Sequence, residues 1–292
     1  MKSELLRFVL FFVLLTLISS AITDYVTKDK QYLYADGGIS IQEETKNNLF
    51  LRYIHFLDRL FFQYGGKTDS GEIVYSHILV RLGPTFHLAI FAIVFGTTLS
   101  YLLSLYSMYL RSNFLKSLLY SSSNLILSTP VFVFAVLLLV LFFYKLQWFP
   151  PGGYESWNFL YIILPGVTLG IRTFARLTLY LLQDIWKEGE SEYVTLLQTR
   201  NYSWKHIVFK EIFLKVFPLS LVIIILDFGS LLSGAMVVEE IFFFPGIGKS
   251  LYYSIKAMDI NLLSILLVFS GIIFYTLNRL VLQFQIKLSG GK

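Results

Sequence analysis

Runs of roughly twenty apolar residues constrain this chain more than any other feature of its sequence. They lie at Leu5–Ile22, Pro84–Leu110, Leu118–Tyr144, Asn158–Leu182, Val216–Val238 and Asn261–Phe284. A helix rises 1.5 Å per residue, so each run crosses a hydrocarbon core about 30 Å thick. Backbone groups in lipid must be satisfied within their own segment, which makes every span a helix. The expectation is an all-α integral membrane protein with about six transmembrane helices. Composition agrees: 15% of residues are charged, against about a quarter in soluble domains. Pro130 and Pro165 fall inside two of the runs and predict kinks there.

The intervening segments divide the chain. Residues 1–23 form the first helix. Ser19-Ser20-Ala21 also fits a signal-peptide cleavage patch, but the apolar stretch is long for one, and an uncleaved helix is expected. Residues 24–82 carry seven Lys/Arg and eight Asp/Glu and read as a loop or small subdomain outside the membrane. Residues 83–288 hold the other five spans, with a polar connector over 185–215. Lys2, Arg7, Arg111, Lys116, Lys187, Arg200, Lys205, Lys210, Lys215, Lys287 and Lys292 then fall on one side. The short loops opposite hold Lys145, Lys249 and Lys256. The excess of Lys and Arg marks the cytoplasmic face, which puts both termini in the cytoplasm and the chain in a cell membrane. The net charge of +5 follows from that bias. It implies contact with lipid and no nucleic-acid partner. Without cysteine, thiolate chemistry and disulfides are excluded.

Two stretches flank the fifth run. The first, Glu192 to His206, reads as a short helix through Thr199, a left-handed turn at Asn201 and a new start capped by Ser203. The second runs Gly234-Ala235-Met236-Val237-Val238-Glu239-Glu240, then aromatics, then Phe244-Pro245-Gly246-Ile247-Gly248. This second stretch resembles the signature of permease subunits of dipeptide, oligopeptide and nickel ABC importers. Glu192 to Pro218 lines up with the loop on which their ATPases dock. Gln63-Tyr64-Gly65-Gly66 through Thr85 is similar to the family's outer loop, whose length here matches the B type. Asn201 replaces the family's turn glycine, and Leu196, Leu197 and Thr199 replace its small residues.

The resemblance implies a type I ABC importer permease fold and a non-catalytic subunit. It would bind no cofactor, with ATP and Mg held by partner chains. Its implied partners are a second homologous permease, two nucleotide-binding ATPase subunits and an extracytoplasmic binding protein. The cargo it implies is peptides or similar small solutes such as metal chelates, in a bacterial inner membrane. Thr195, Leu196, Leu197, Thr199, Arg200, Asn201, Tyr202 and Trp204 become the ATPase-coupling residues. Asp227, Ser233, Gly234, Glu239, Pro245, Gly246 and Gly248 become candidates for the translocation path or the seam between permeases. A peptide exporter of the same family is an alternative.

Other signals count for less. Gly246-Ile247-Gly248-Lys249-Ser250 ends like a phosphate-binding loop, but Phe243 stands where its first glycine belongs and no strand precedes it. His55, His77, His87 and His206 share no ligand spacing, so no metal is expected. Six spans without an inverted repeat argue against a secondary transporter. A membrane-embedded transferase needs clustered catalytic groups, and Glu239-Glu240 is the adjacent acidic pair near a membrane face. Asp227 lies near mid-span, with Arg172, Arg176 and Arg279 as candidate partners, and should face protein or water. Ser121 to Ser123, Asn124 and Ser128 are expected to pack helices closely.

Overall fold

The computed structural model describes residues 2–36, 49–156, 158–232 and 235–288. Helix α1 (Lys2–Asp36) is followed by α2 (Leu49–Phe62) and α3 (Val74–Tyr109). Next come α4 (Asn113–Ser128), α5 (Val131–Lys145), α6 (Leu160–Gly189) and α7 (Glu192–Thr199). Then α8 (Trp204–Leu232), α9 (Met236–Ile241), α10 (Ile247–Lys256) and α11 (Ile260–Leu288) complete the chain. The apolar runs are mostly helical among the described residues, as an all-α membrane protein requires. Four helices (α3, α6, α8 and α11) are long and apolar enough to cross a membrane, and the bent α4–α5 pair makes a fifth. Six were expected, and the difference is α1, whose apolar stretch, Leu6–Ile22, is shorter.

The spans differ from their expected bounds in three ways. The third run is bent at Pro130, where a kink was expected: α4 and α5 meet at 99° across Thr129 and Pro130. Pro130 caps α5 with an extended ψ of 138°, and a proline has no N–H to carry the α4 ladder forward. Pro165, by contrast, sits inside an unbroken α6. The fifth run starts at Trp204, earlier than hydropathy indicated, because polar residues occupy the first turns of one long helix. It is described as far as Leu232, and Ala235 is not helical, so Met236, Val237 and Val238 belong to the separate α9. Within the 24–82 stretch, α1 continues to Asp36 and α2 follows. A loop over Gly65 and Gly66 then closes with an antiparallel bridge between Lys67 and Ile73.

The core of the bundle is the α3–α6 pair. A Cβ on Gly96 would stand 2.5 Å from the Gly170 carbonyl oxygen, and one on Gly170 would stand 2.8 Å from that of Ala92. Only glycine allows this approach, which brings backbones together as helices in lipid commonly require. One turn further on, the Ser100 and Thr178 hydroxyls bond at 2.9 Å, buried between the same helices. Tyr101 reaches from α3 to Ser220 on α8. At one side, α2 buries Phe56 and Leu60 among Ile265, Leu266 and Val74. Helix α1 lies on α11, with the Ser19 hydroxyl donating to the Ser264 carbonyl at 2.8 Å.

Candidate functional site

The 192–206 hairpin forms at one end of the bundle as its residues dictate. Glu192 stands in the first turn of α7, where a carboxylate complements the helix dipole. The helix ends with Asn201 N–H donating to the Gln198 carbonyl at 2.9 Å and Tyr202 N–H to that of Leu197 at 3.1 Å. This pair of bonds is the Schellman arrangement, with Asn201 left-handed at φ 63°. The Ser203 hydroxyl then caps α8 by accepting from His206 N–H. The hairpin is therefore a rigid turn between two capped helices.

Its faces divide cleanly. Val194 and Leu197 are buried with Leu105, Met108, Leu177, Leu181, Ile207 and Val208. Leu197, expected on the presented face, is therefore an anchor, and α7 hangs from the core by it. Trp204 is half-buried: its ring N–H donates to the Tyr109 carbonyl at 2.9 Å, and Arg111 stacks over it at 4.1 Å. Thr195, Leu196, Thr199, Arg200, Asn201 and Tyr202 are exposed. Leu196 at 50% and Tyr202 at 46% exposure form an apolar tip on a polar knob. Arg111 escaped the sequence reading because no local pattern links it to a tryptophan far along the chain.

At the opposite end, Glu239 is fully buried. Thr85 on α3 donates to its Oε1 at 3.1 Å, and Lys249 N–H donates to its Oε2 at 2.8 Å. The Thr85 hydroxyl in turn accepts from Ile247 N–H at 2.8 Å. The carboxylate thus sits at the N-terminus of α10, where free N–H groups and the dipole favour an anion. Burial pushes its carboxyl up from the ordinary value, while the backbone N–H groups of Lys249 and Gly248 and the Thr85 hydroxyl pull it back.

The Phe-Pro-Gly-Ile-Gly segment is shaped around that carboxylate. A Cβ on Gly246 would stand 2.3 Å from it, and one on Gly248 would stand 2.7 Å from Met236 N. Phe242 and Phe244 are buried against Leu88, Ile162 and Leu164, while Phe243 is exposed. Glu239, Gly246 and Gly248 therefore come together in an internal knot, with Pro245 half-buried next to them in sequence. Glu240 accepts from the Tyr253 hydroxyl at 3.2 Å. Ser233 and Gly234 lie outside the described residues. Beside the knot, a cavity of about 420 Å³ is lined by His87, Ile90, Phe91, Val94, Tyr154 and Asn158.

Asp227 faces protein as expected, and its partner is Arg176 on α6. Thr173 also bonds it, and Arg172 stands nearby. Asp227 is buried, whereas Arg172 and Arg176 are exposed. An arginine facing hydrocarbon at mid-span costs about 2.5–3.5 kcal/mol on insertion scales. Arg279 is not the partner in this ion pair. Ser123 is buried as expected for packing, but Ser121, Asn124 and Ser128 are exposed. Gly229 packs against Leu277 of the same chain.

Comparison with known proteins fits this arrangement. The family described as the binding-protein-dependent transport system inner membrane component matches residues 92–289. A probable peptide ABC transporter permease of Sinorhizobium fredii is 26% identical over 83% of this chain and 80% of its own length. A glutathione transport system permease of Pectobacterium atrosepticum is 26% identical over 79% and 75%. A dipeptide transport system permease of Lactococcus lactis is 27% identical over 72% and 70%. The matched region takes in the hairpin and the Glu239-to-Gly248 stretch, and its family consists of transport permeases rather than enzymes, which removes the transferase alternative. This chain belongs to the binding-protein-dependent transport system inner membrane component family and is a multi-pass permease subunit of an ABC importer.

Proposed function

We propose that this permease and a second, homologous one enclose a path for peptides, driven by two ATPase subunits that dock on the 192–206 hairpin. ATP and Mg belong to those subunits, and an extracytoplasmic binding protein delivers cargo at the Glu239 end. The bacterial cytoplasmic membrane houses the complex with both termini inside. The observation that carries this reading is the hairpin's construction. Leu196 and Tyr202 stand exposed on a tip whose other face, Val194 and Leu197, is locked into the α3–α6–α8 core. Motion of a subunit gripping the tip therefore passes directly to the spanning helices. Exposed aromatic and aliphatic anchors on a rigid element suit such a contact.

The peptide class rests on the names of the relatives above. The test is purification of the tagged chain with its neighbouring subunits, followed by ATP-dependent uptake in proteoliposomes. The expected result is an ATPase that co-purifies, and uptake of a labelled peptide that needs ATP and the binding protein. Transport by the isolated chain, or co-purification without any ATPase, would overturn it.

A further inference from the structure

Two spanning helices turn polar side chains outward where a lipid-facing surface is apolar. On α4, Ser117, Ser121, Asn124 and Ser128 recur at i, i+4, i+7 and i+11 and are exposed, interleaved with exposed Phe114, Leu118 and Leu125. On α6, Arg172, Arg176, Gln183 and Lys187 are exposed and, at 3.6 residues per turn, share about 60° of arc. The apolar residues of α6 point the other way, with Phe174, Leu177, Leu181 and Ile185 buried. This is the reverse of a lipid-facing helix, and ionisable residues within a span usually face protein or water. Between the N-terminal part of α4 and the C-terminal half of α6 runs a groove of about 370 Å³, lined by Lys116, Tyr120, Leu179, Gln183, Trp186 and Lys187, with Glu190 at its edge.

The two arginines are not equivalent. Arg176 is engaged by Asp227. Arg172, one turn away, is exposed and forms no ion pair among the described residues. A guanidinium is always charged and offers a planar fork of donors that matches a carboxylate. One acid against two arginines leaves a positive charge at mid-span on a face that also carries Gln183, Lys187 and the partly buried Leu179. We propose that the α4–α6 face is the water-facing wall of the translocation path, and that Arg172 on it binds the carboxylate of the peptide in transit. Asp227 acts as a positioning residue that neutralises Arg176, leaving a single anion-binding guanidinium. This inference rests on the peptide-permease reading given above.

The test uses the assembled transporter in proteoliposomes with its binding protein, comparing a peptide bearing a free C-terminal carboxylate with its C-terminal amide. Binding-protein affinity is measured for both. With Arg172→Gln, carboxylate uptake should fall at least about tenfold, the loss expected for a charge-assisted fork, while amide uptake stays within about twofold. Arg172→Lys, which keeps charge without the fork, should be intermediate. Equal loss for both peptides, or no loss, overturns the carboxylate site while leaving peptide transport standing. Loss of the second permease on purification of Arg172→Gln, restored by Arg172→Lys, overturns it by assigning Arg172 to an acid of that subunit. Absence of any peptide uptake by the wild type defeats the underlying reading instead. Because the chain has no cysteine, Ser121→Cys and Gln183→Cys report water access by mass. Both should be labelled by a membrane-impermeant sulfonated thiol reagent, and failure to label either removes the wall.

Discussion

Glu239 shows what one buried residue does for the fold. Its carboxylate joins α3, through Thr85, to the N-terminus of α10. In Glu239→Gln, one of the two accepting oxygens becomes an NH₂, so the side chain can accept from Thr85 or from Lys249 N–H but not from both. Hydrogen bonds to charged groups contribute about 1.5–3 kcal/mol each, so the variant should unfold several degrees earlier in detergent. The sign with pH is also defined. Burial raises this carboxyl above 4.5, so the folded state holds a proton that the unfolded state has released. Stability from this group is then lost as pH rises from 4.5 through the folded value. The difference in melting temperature between wild type and Glu239→Gln should narrow across that window as pH increases. A gap that widens with pH would contradict the assignment. Asn201 makes a smaller case: at φ 63°, Asn201→Gly should leave stability within about 1 kcal/mol. Asn201→Val should cost about 1–2 kcal/mol, the penalty of a side chain in the left-handed region.

At the scale of elements, α7 separates two kinds of residue that its sequence places side by side. Leu197 is 8% exposed and Leu196 is 50% exposed. Leu197→Ala should therefore cost about 2–5 kcal/mol of stability, as buried leucine truncations do. Leu196→Asp should leave the melting temperature nearly unchanged and instead weaken ATPase co-purification. The reverse pattern would show that the hairpin's two faces have been exchanged. The α3–α6 crossing makes the opposite demand. Gly96→Leu pushes a side chain into the Gly170 carbonyl, so the helices must separate and break the Ser100–Thr178 bond. The expected outcome is poor membrane yield of Gly96→Leu, while Gly83→Leu, whose Cβ meets nothing within 4 Å, accumulates normally.

At the scale of the whole molecule, hydropathy and local chemistry were enough to place the apolar helices, though not their bounds or the shorter α2, α9 and α10. They also placed the left-handed turn at Asn201 and the Ser203 cap, because each depends on neighbours within a few residues. The residues of the Phe-Pro-Gly-Ile-Gly segment were likewise recognisable as a unit. Their arrangement was not. Sequence indicated that Asp227 needed a partner but left three arginines open, and only packing selected Arg176. It placed Leu197 beside Leu196 without showing that one is core and the other surface. It gave no sign that Thr85 lies against Glu239, or Arg111 over Trp204. The apolar runs of roughly twenty residues thus determined by themselves that this chain crosses a membrane as helices, since lipid admits no other way to satisfy a spanning backbone. Which face of each helix meets protein, lipid or water was decided only by the tertiary structure. Rotation about a helix axis is set by side chains far apart in sequence that must close against one another.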